Sequence, residues 1–264
     1  MTRPILRLAA LCTLAALTAC EYDDDTLYDA PTEPAPSAPA AQVVTGSGDL
    51  TAPLAQFRGL LGEPRNGGAV GPSAIGRREV NWDGVPAEFN NADNRFPAAF
   101  FNTTVRLGLV MSTPGTGFRN DSSLFGDVDG SLRAQFAAFS PNKLFAASNS
   151  NVIDVEFQLA GQPTPATVAG FGAVFVDVDL PGRTTIELFD RAGRRLAFVE
   201  VPVRSAGSAF SFAGARLADA SIARARITLG TGVLAAGRLD VSVGGSADLV
   251  VVDDFLYTEP QPLR

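Results

Sequence analysis

The sequence predicts an all-β fold, an antiparallel β-sandwich with one or two short helices. Short apolar runs with period-two alternation recur along the chain, and turn residues separate them. Glycine and proline are numerous, with 26 and 18 residues, which favours many turns and few long helices. Because these signals continue without a linker-like change of composition, we expect a single sandwich domain over residues 51–260.

Residues 166–179 predict the central strand. Successive side chains of a strand point to opposite faces of its sheet. Both faces are apolar here over most of the length, and polar side chains come only at the end, with Asp177 and Asp179. Such a strand belongs in the middle of a sandwich, unless a bulge at Gly170 or Gly172 shifts the alternation.

The other strands are predicted in order on both sides of the central one. Before it, they cover residues 77–82, 106–112, 143–147 and 152–159. After it, they cover residues 184–189, 195–203, 209–217, 222–229, 239–243 and 249–257. The turn at residues 190–193 joins the first two of the second group as a β-hairpin.

Helices contribute little to the predicted fold. Apolar residues recur at helical spacing over residues 132–139, with Asp129 or Ser131 as the N-cap and Pro141 as the stop. Residues 57–61 fit either a strand or a helical turn. We therefore expect one short helix and leave the second segment undecided.

The N-terminal residues resemble the signal of a bacterial lipoprotein. Arg3 and Arg7 precede a short apolar run, and Leu17-Thr18-Ala19-Cys20 resembles the lipobox of that family. In lipoproteins, cleavage falls before the cysteine, which is then acylated. The resemblance implies that residues 1–19 are removed and that Cys20 carries the lipid. The alternative is an ordinary secretory signal with an incidental cysteine.

Residues 20–50 predict an acidic, disordered tether. Prolines alternate there with alanine, serine, threonine and acids, and no lysine or arginine is present. Such a segment cannot bury enough apolar surface to order itself. With lipid on Cys20, it would hold the domain off a membrane of the cell envelope. Glu21 after the cysteine favours the outer membrane by the enteric sorting rule.

The composition excludes several kinds of chemistry. The sequence has no histidine, which removes Ser-His-Asp and Cys-His catalysis and histidine-ligated metal sites. Its two cysteines are Cys12, within the signal, and Cys20, so we expect no disulfide or thiolate site in the mature chain. A net charge of −7 without a basic patch argues against nucleic acid as a partner. We therefore predict that the protein is not an enzyme.

Several segments resemble, in order, a family of uncharacterised secreted bacterial proteins. They are GRREVNWDGVP (76–86), FFNTT (100–104), STPGTGF (112–118), FSPNKLF (139–145), GFGAVFVDVD (170–179), IARARI (222–227) and VVVDDFLYTEP (250–260). That family has a jelly-roll domain akin to carbohydrate-binding modules and PEP-CTERM-type exported domains. The resemblance implies a jelly roll, and it does not imply a reaction.

Asp253 and Asp254 interrupt the apolar start of the last predicted strand. By alternation, Asp254 shares a face with Val252 and Leu256, so its carboxylate is buried and needs a partner. Jelly rolls of the carbohydrate-binding type often carry a structural Ca²⁺ near an aspartate of their last strand, so the resemblance implies calcium here. The alternatives are an ion pair with an arginine such as Arg78, or exposure at the strand edge.

The resemblance also implies a non-catalytic surface module, with a glycan as its ligand. We expect the ligand surface near Glu79, Trp82, Asp83 and Asp177, where carboxylates neighbour an aromatic ring. The sequence leaves Trp82 open as a sugar platform or a core anchor, and it favours the anchor. Glu79 and Asp83 would lie about 13 Å apart on a strand, too far for a glycosidase pair. The alternatives are a structural envelope lipoprotein and a carboxylate-based polysaccharide-active enzyme.

Overall fold

The structure is a computed structural model that describes residues 40–90 and 95–263. The predicted signal, Cys20 and the first part of the tether lie outside the described residues. What is described belongs to one structural unit, Ala38–Arg264. Among the described residues, no helix has the length and apolar character needed to cross a bilayer.

Most regular elements are strands. The first seven are β1 (Gln42–Ser47), β2 (Arg77–Val80), β3 (Leu109–Ser112), β4 (Gly117–Asp121), β5 (Leu144–Ser148), β6 (Val152–Phe157) and β7 (Ala166–Thr167). They are followed by β8 (Gly170–Val176), β9 (Thr185–Phe189), β10 (Arg195–Glu200), β11 (Phe210–Arg216), β12 (Arg224–Thr228), β13 (Val251–Thr258) and β14 (Gln261–Pro262). The helices are α1 (Thr51–Leu61), α2 (Phe100–Thr103) and α3 (Leu132–Gln135), with 3₁₀ turns at Trp82–Gly84, Ala87–Phe89 and Val241–Val243.

Two antiparallel sheets form a sandwich, which confirms the predicted all-β fold. The larger sheet has the strand order β1-β11-β8-β13-β5-β4, and β2 pairs with β13 on the edge away from β8. The smaller sheet has the order β10-β9-β12-β6-β3. Strands β7 and β14 form a separate ribbon. The predicted hairpin is the antiparallel pair β9 and β10.

Strand β8 is the central strand that the sequence predicts. Every one of its residues is buried, and it lies between β11 and β13. Its ladder with β11 has no register shift, so no bulge forms at Gly170 or Gly172. The shift lies instead in β13, between Val252 and Phe255, where two residues oppose one residue of β8.

The main core lies between the sheets and is rich in aromatic rings. The larger sheet and the turn after β2 contribute Trp82, Phe145, Phe171, Phe255 and Tyr257, and the smaller sheet contributes Ile153, Val155, Ile186, Leu188 and Ile227. All of these side chains are fully buried. The alternating positions that the sequence predicts as inward-facing therefore meet in one layer.

Helix α1 covers the outer face of the larger sheet. Its buried side chains and the sheet residues beneath them form a second core of Leu54, Phe57, Leu61, Val174, Phe212 and Leu256. Gly172 and Gly214 allow the close approach, because a Cβ there would lie 2.7 and 2.6 Å from the Phe57 ring. Residues 57–61, undecided from the sequence, are therefore helical.

The start of the domain corrects the predicted tether. Strand β1 pairs with β11 along its whole length. Leu50 is 1% exposed and packs beneath α1. The tether prediction for residues 20–50 is therefore wrong from residue 42 onward, because this short strand gains ladder hydrogen bonds with the edge of β11. The sandwich also begins before residue 51.

Two predicted elements are changed by local hydrogen bonding. Residues 239–243 contain a 3₁₀ turn rather than a strand, because the Asp240 carboxylate accepts a hydrogen bond from Ser242 N. The helix predicted over residues 132–139 is the single turn α3, since Phe136 is already extended. Its expected cap Asp129 instead accepts from Ser131 N and Gly237 N.

Strand β4 has no counterpart in the sequence prediction. Its sequence, GFRND, lacks apolar alternation, yet Arg119 and Asp121 are buried in it. Arg119 Nε lies 2.8 Å from Asp121 Oδ2, so the two charges compensate each other. Sequence patterns do not reveal this strand, because an ion pair replaces the apolar residues that normally mark one.

Candidate functional site

The four residues of the predicted ligand surface lie at two separate places. Glu79 in β2 pairs with Leu256 of β13, whereas Val176, next to Asp177, pairs with Val251. These partners are five residue steps apart along β13, which corresponds to about 17 Å. The structure therefore keeps Glu79 near Trp82 and Asp83 and removes Asp177 from this group.

Trp82 is a core anchor, as the sequence favours, and the sugar-platform role is wrong. Its side chain is fully buried, and its ring stacks on Phe145 with centroids 3.8 Å apart. Its Nε1 donates to the carbonyl of Asp253 over 2.6 Å. Tyr257 is equally buried and donates its hydroxyl to the carbonyl of Leu107. Neither ring is accessible to a ligand.

Glu79 is fixed by two arginines. Arg58 Nε and Nη2 lie 2.9 and 3.1 Å from its carboxylate oxygens, and Arg77 Nε lies 2.7 Å from Oε1. Burial alone would raise the pKa of Glu79, but the hydrogen bonds from Arg58 and Arg77 outweigh it and lower the pKa. The carboxylate therefore stays ionised at neutral pH.

Asp83 makes its hydrogen bonds through its backbone. Its N–H donates to Asn81 Oδ1, and its carbonyl accepts from Lys143 Nζ over 3.0 Å. Both carboxylate oxygens are buried without a hydrogen-bond partner in the described structure. Asp83 therefore shapes the turn after β2 and does not line the cleft beside it.

A cleft of about 520 Å³ opens beside β2. Its polar lining is Arg65, Asn66, Glu79 and Asn81, its apolar lining is Phe100, Phe101, Val105 and Leu107, and bare backbone comes from Gly67, Gly68 and Gly84. Arg65 is 57% exposed, and its Nε is 3.9 Å from Glu79 Oε2, so its guanidinium is free to turn towards a ligand. The cleft thus combines polar side chains and glycine backbone with apolar side chains, of which the Phe100 and Phe101 rings are almost fully buried.

Asp253 and Asp254 form the bulge of β13 and lie close together. The Asp253 carboxylate accepts from Phe139 N, Ser140 N and Ser140 Oγ over 2.8, 3.2 and 2.6 Å. Burial first, and then the neighbouring charge of Asp253, raise the pKa of Asp254 to about 8. Both effects favour the protonated form of Asp254, and the expectation of calcium here stays a prediction.

Because of the bulge, the alternation that the sequence predicts around Asp253 and Asp254 is wrong. Val252 faces the main core, whereas Leu256 faces α1, so Asp254 cannot share one face with both. Arg78 is not its partner either. Its Nε and Nη2 each lie 2.7 Å from the carboxylate of Glu259, and both side chains are buried. The predicted ion pair with Arg78 is therefore wrong.

A second acidic group lies at the far end of β8. Asp177, Asp179 and Asp240 each offer one carboxylate oxygen, and these oxygens all lie within 4.8 Å of one another. Arg204 Nε lies 2.8 Å from Asp177 Oδ1 and 2.7 Å from Asp179 Oδ1. Burial first, and then the charge of Asp179, raise the pKa of Asp177 to about 7. This group contains the atoms in the described chain that best match the ligands of a hard cation.

Sequence reasoning missed most of the residues that form the cleft beside β2 and the acidic group at the end of β8. Arg65, Asn66 and Asn81 lie near the predicted surface, but the opposite wall of the cleft comes from a segment that starts at Phe100. Asp240 lies on a turn far along the chain from Asp177. Only the neighbouring pair of aspartates at the end of β8 is visible as a pattern, because the other contacts depend on the fold.

Comparisons with known proteins give two partial matches of fold. No protein-family model matches the chain, and no curated protein matches it. One similar solved structure is a glycoside hydrolase family 43 arabinoxylan arabinofuranohydrolase from Bacillus subtilis in complex with cellotetraose. Its sequence identity to this chain is 15% and the TM-score is 0.30. The match covers 58% of this chain and 27% of that chain. Another is the enzymatically active domain of bacteriophage CBA120 tailspike protein 4, with 13% identity and a TM-score of 0.29; it covers 66% and 22% of the two chains.

The chain thus spans about a quarter of the length of each of these neighbours. Partial likeness of fold does not define function, which depends on the residues of a site. The cleft beside β2 and the two acidic groups are therefore the features from which function is inferred.

Proposed function

We propose that this chain is a lipid-anchored lipoprotein of the bacterial cell envelope whose sandwich is a non-catalytic module that binds carbohydrate in the cleft beside β2. The cleft carries the proposal. Its volume of about 520 Å³ lies within the range of about 300–1,000 Å³ that is usual for small-molecule sites. Sugars have many hydroxyl groups, which suit the guanidinium, carboxylate, amide and backbone groups that line this cleft.

The state of Glu79 favours binding over hydrolysis. A glycosidase needs one carboxylic acid that can protonate the leaving oxygen. Glu79 lines the cleft, but Arg58 and Arg77 keep its pKa low and its oxygens occupied. It can accept hydrogen bonds from a sugar hydroxyl through its remaining lone pairs, and it is unsuited to donate a proton.

The cleft proposal is tested first with a glycan array and the soluble chain that starts at residue 21. We expect binding to one class of envelope or extracellular polysaccharide. An array without binding would contradict the proposal and favour a structural lipoprotein. Release of shorter sugars from a bound glycan would instead favour a polysaccharide-active enzyme.

Any hit is then tested by filling the cleft. Gly84 lines the cleft and is exposed, and a Cβ added there would meet no other group within 4 Å, so Gly84→Trp adds bulk with little strain. Gly130→Trp is the matched control, because Gly130 is also exposed with open space around it and lies outside the cleft. We expect Gly84→Trp to lose binding and Gly130→Trp to retain it. Equal binding by both would place the ligand elsewhere.

The anchor rests on the sequence around Cys20 and is tested separately. Each buried methylene of an acyl chain contributes about 0.8 kcal/mol, so several chains hold a protein firmly on a membrane. Cys20→Ser should move the protein from the membrane fraction to the soluble fraction. Cys12→Ser is the control and should leave fractionation unchanged. Membrane retention of the Cys20 variant would disprove lipid anchoring at this residue.

A further inference from the structure

Two segments far apart in sequence meet at the end of β8. Asp177 and Asp179 follow this strand directly, and Asp240 begins the 3₁₀ turn Val241–Val243. One carboxylate oxygen from each lies within 4.8 Å of the others. Asp248 adds a fourth carboxylate nearby, which accepts from the N–H groups of Asp179 and Leu180. These contacts join the irregular segment before β13 to the central strand.

The carboxyl groups of this cluster outnumber the cations beside them. Arg204 bridges Asp177 and Asp179 through one oxygen of each. The Asp240 carboxylate is occupied by backbone N–H groups, those of Ser242 and Leu249, which carry no full charge. Among the described residues, three converging carboxylates therefore face this one guanidinium.

Asp177 supplies a second observation that points to a ligand. Its residue is only 2% exposed, and its Oδ2 is buried without a hydrogen-bond partner in the described part of the chain. Asp179 Oδ2 is likewise buried and unpaired there. A buried carboxylate oxygen without a partner is costly, because it has lost its hydration and gained nothing in exchange. A cation between these oxygens would remove that cost.

We propose that Asp177, Asp179 and Asp240 bind a calcium ion that fastens the segment before β13 to the end of β8. Carboxylate oxygens are the ligands that Ca²⁺ prefers, at about 2.3–2.6 Å. Oxygens up to 4.8 Å apart can share an ion at that distance. The smaller Mg²⁺ requires about 2.0–2.1 Å and near-octahedral geometry and gives up its water reluctantly, so carboxylates on two separate segments suit Ca²⁺ better.

This site differs from the pair Asp253 and Asp254, where calcium is an expectation that comes from the family resemblance. Asp253 already accepts three hydrogen bonds, from Phe139 and Ser140. At the end of β8, by contrast, carboxylate oxygens remain unpaired among the described residues. The proposal is also independent of carbohydrate binding, because none of the three aspartates lines the cleft beside β2.

The test is a calorimetric titration of Ca²⁺ into the chelator-treated soluble chain, with melting followed in parallel. We expect one Ca²⁺ per chain and a melting temperature that rises with Ca²⁺ concentration, as required for a ligand of the native state. Mg²⁺ at the same concentrations should give a smaller rise. Absence of any Ca²⁺ effect would overturn the proposal.

Variants locate the ion. Asp179→Asn should weaken Ca²⁺ binding roughly tenfold or more, because it removes a charged ligand and keeps the shape. Asp190→Asn in the β9–β10 hairpin is the matched control and should keep the calcium response. Asp254→Asn should keep it too. Loss of binding in Asp254→Asn with retention in Asp179→Asn would place the ion at β13 and overturn the proposal.

Arg204→Gln separates an ion site from a simple ion-pair network and covers the case in which Asp179→Asn does not fold. The substitution removes the guanidinium that competes for the Asp177 and Asp179 carboxylates. A calcium site should then bind Ca²⁺ at least as tightly as the wild type does. If Arg204→Gln is destabilised and Ca²⁺ does not restore its melting temperature, the carboxylates serve the arginine alone and the proposal is wrong.

Discussion

The two outer faces of the sandwich are covered to different extents. The larger sheet is covered by α1 and by a cluster around Phe125 and Phe136, so β8 is buried on both of its faces. On the smaller sheet, β10 and β12 alternate between buried and more exposed positions, and Phe198 is 47% exposed. The first face resembles an internal layer, and the second resembles an ordinary solvated sheet surface.

Different interactions stabilise these faces. On the larger sheet, the ring of Phe57 packs onto the bare backbone of Gly172 and Gly214. On the smaller sheet, Arg226 donates two hydrogen bonds to Asp154, and Arg224 Nη1 lies 2.8 Å from the same carboxylate. Apolar burial is worth several kcal/mol, whereas exposed ion pairs are worth about 1 kcal/mol or less. Stability should therefore depend far more on the covered face.

The largest effect should come from Phe57→Ala. The ring is fully buried, so the substitution should lower the free energy of unfolding by about 3–5 kcal/mol. Phe198→Ala on the solvated face is the matched control and should cost less than about 1 kcal/mol. Urea denaturation of both variants measures the difference. Similar losses would show that the two faces contribute alike.

Glu79→Gln should have the next largest effect, and its effect should depend on pH. The variant loses charged hydrogen bonds to Arg58 and Arg77, which costs about 1.5–3 kcal/mol at neutral pH. Because folding lowers the pKa of Glu79, its stabilisation is complete above the ordinary value of 4.5 and is lost as pH falls through the lower folded value. Denaturation from pH 7 to pH 3 should show the difference between wild type and variant shrinking in acid. A stability difference that stays constant with pH would contradict the lowered pKa of Glu79.

Gly172→Ala should destabilise the protein by about 1–3 kcal/mol, because the added methyl overpacks the contact beneath α1. The new Cβ would lie 2.7 Å from Phe57 Cε1 and 3.0 Å from the carbonyl oxygen of Ala213. Gly59→Ala on the exposed side of α1 is the control, and it should stabilise by about 0.5–1 kcal/mol. Thermal melts of both variants, with opposite shifts expected, test whether the glycine is required by packing.

Arg226→Ala should have the smallest effect. The arginine side chain is 41% exposed, so losing its pair with Asp154 should cost less than about 1 kcal/mol, and less again at high salt. Denaturation at two salt concentrations measures this. A larger, salt-independent loss would mean that this face is more than a solvated surface.

The sequence predicts the covered face and the solvated face with different success. Strand β8 is evident from its apolar residues on both faces, and the hairpin β9–β10 from its turn. Gly170 and Gly172 suggest a bulge from the sequence, whereas in the structure they make room for Leu61 and Phe57, more than a hundred residues earlier in the chain. Contacts of that kind cannot be read from periodicity, since alternation reports only which face a residue occupies.

The candidate sites show the same limit. Local pattern singles out Glu79 and Asp177, and the structure places them at opposite ends of the sheet. Arg58 and Asp240, which decide what these carboxylates do, lie on other elements. Trp82 is the opposite case, because a lone tryptophan among many phenylalanines is already more consistent with a core position.

The most direct test of the proposed function asks whether the ligand binds in the cleft beside β2 or on the smaller sheet. Amide NMR shifts of the soluble chain are followed while the oligosaccharide with the strongest array signal is added. We predict shifts at Gly67, Gly68 and Gly84 around the cleft, with the smaller sheet unchanged. Shifts confined to Arg224, Arg226 and Phe198 would contradict the account, because the ligand would then bind the solvated face and leave the cleft empty.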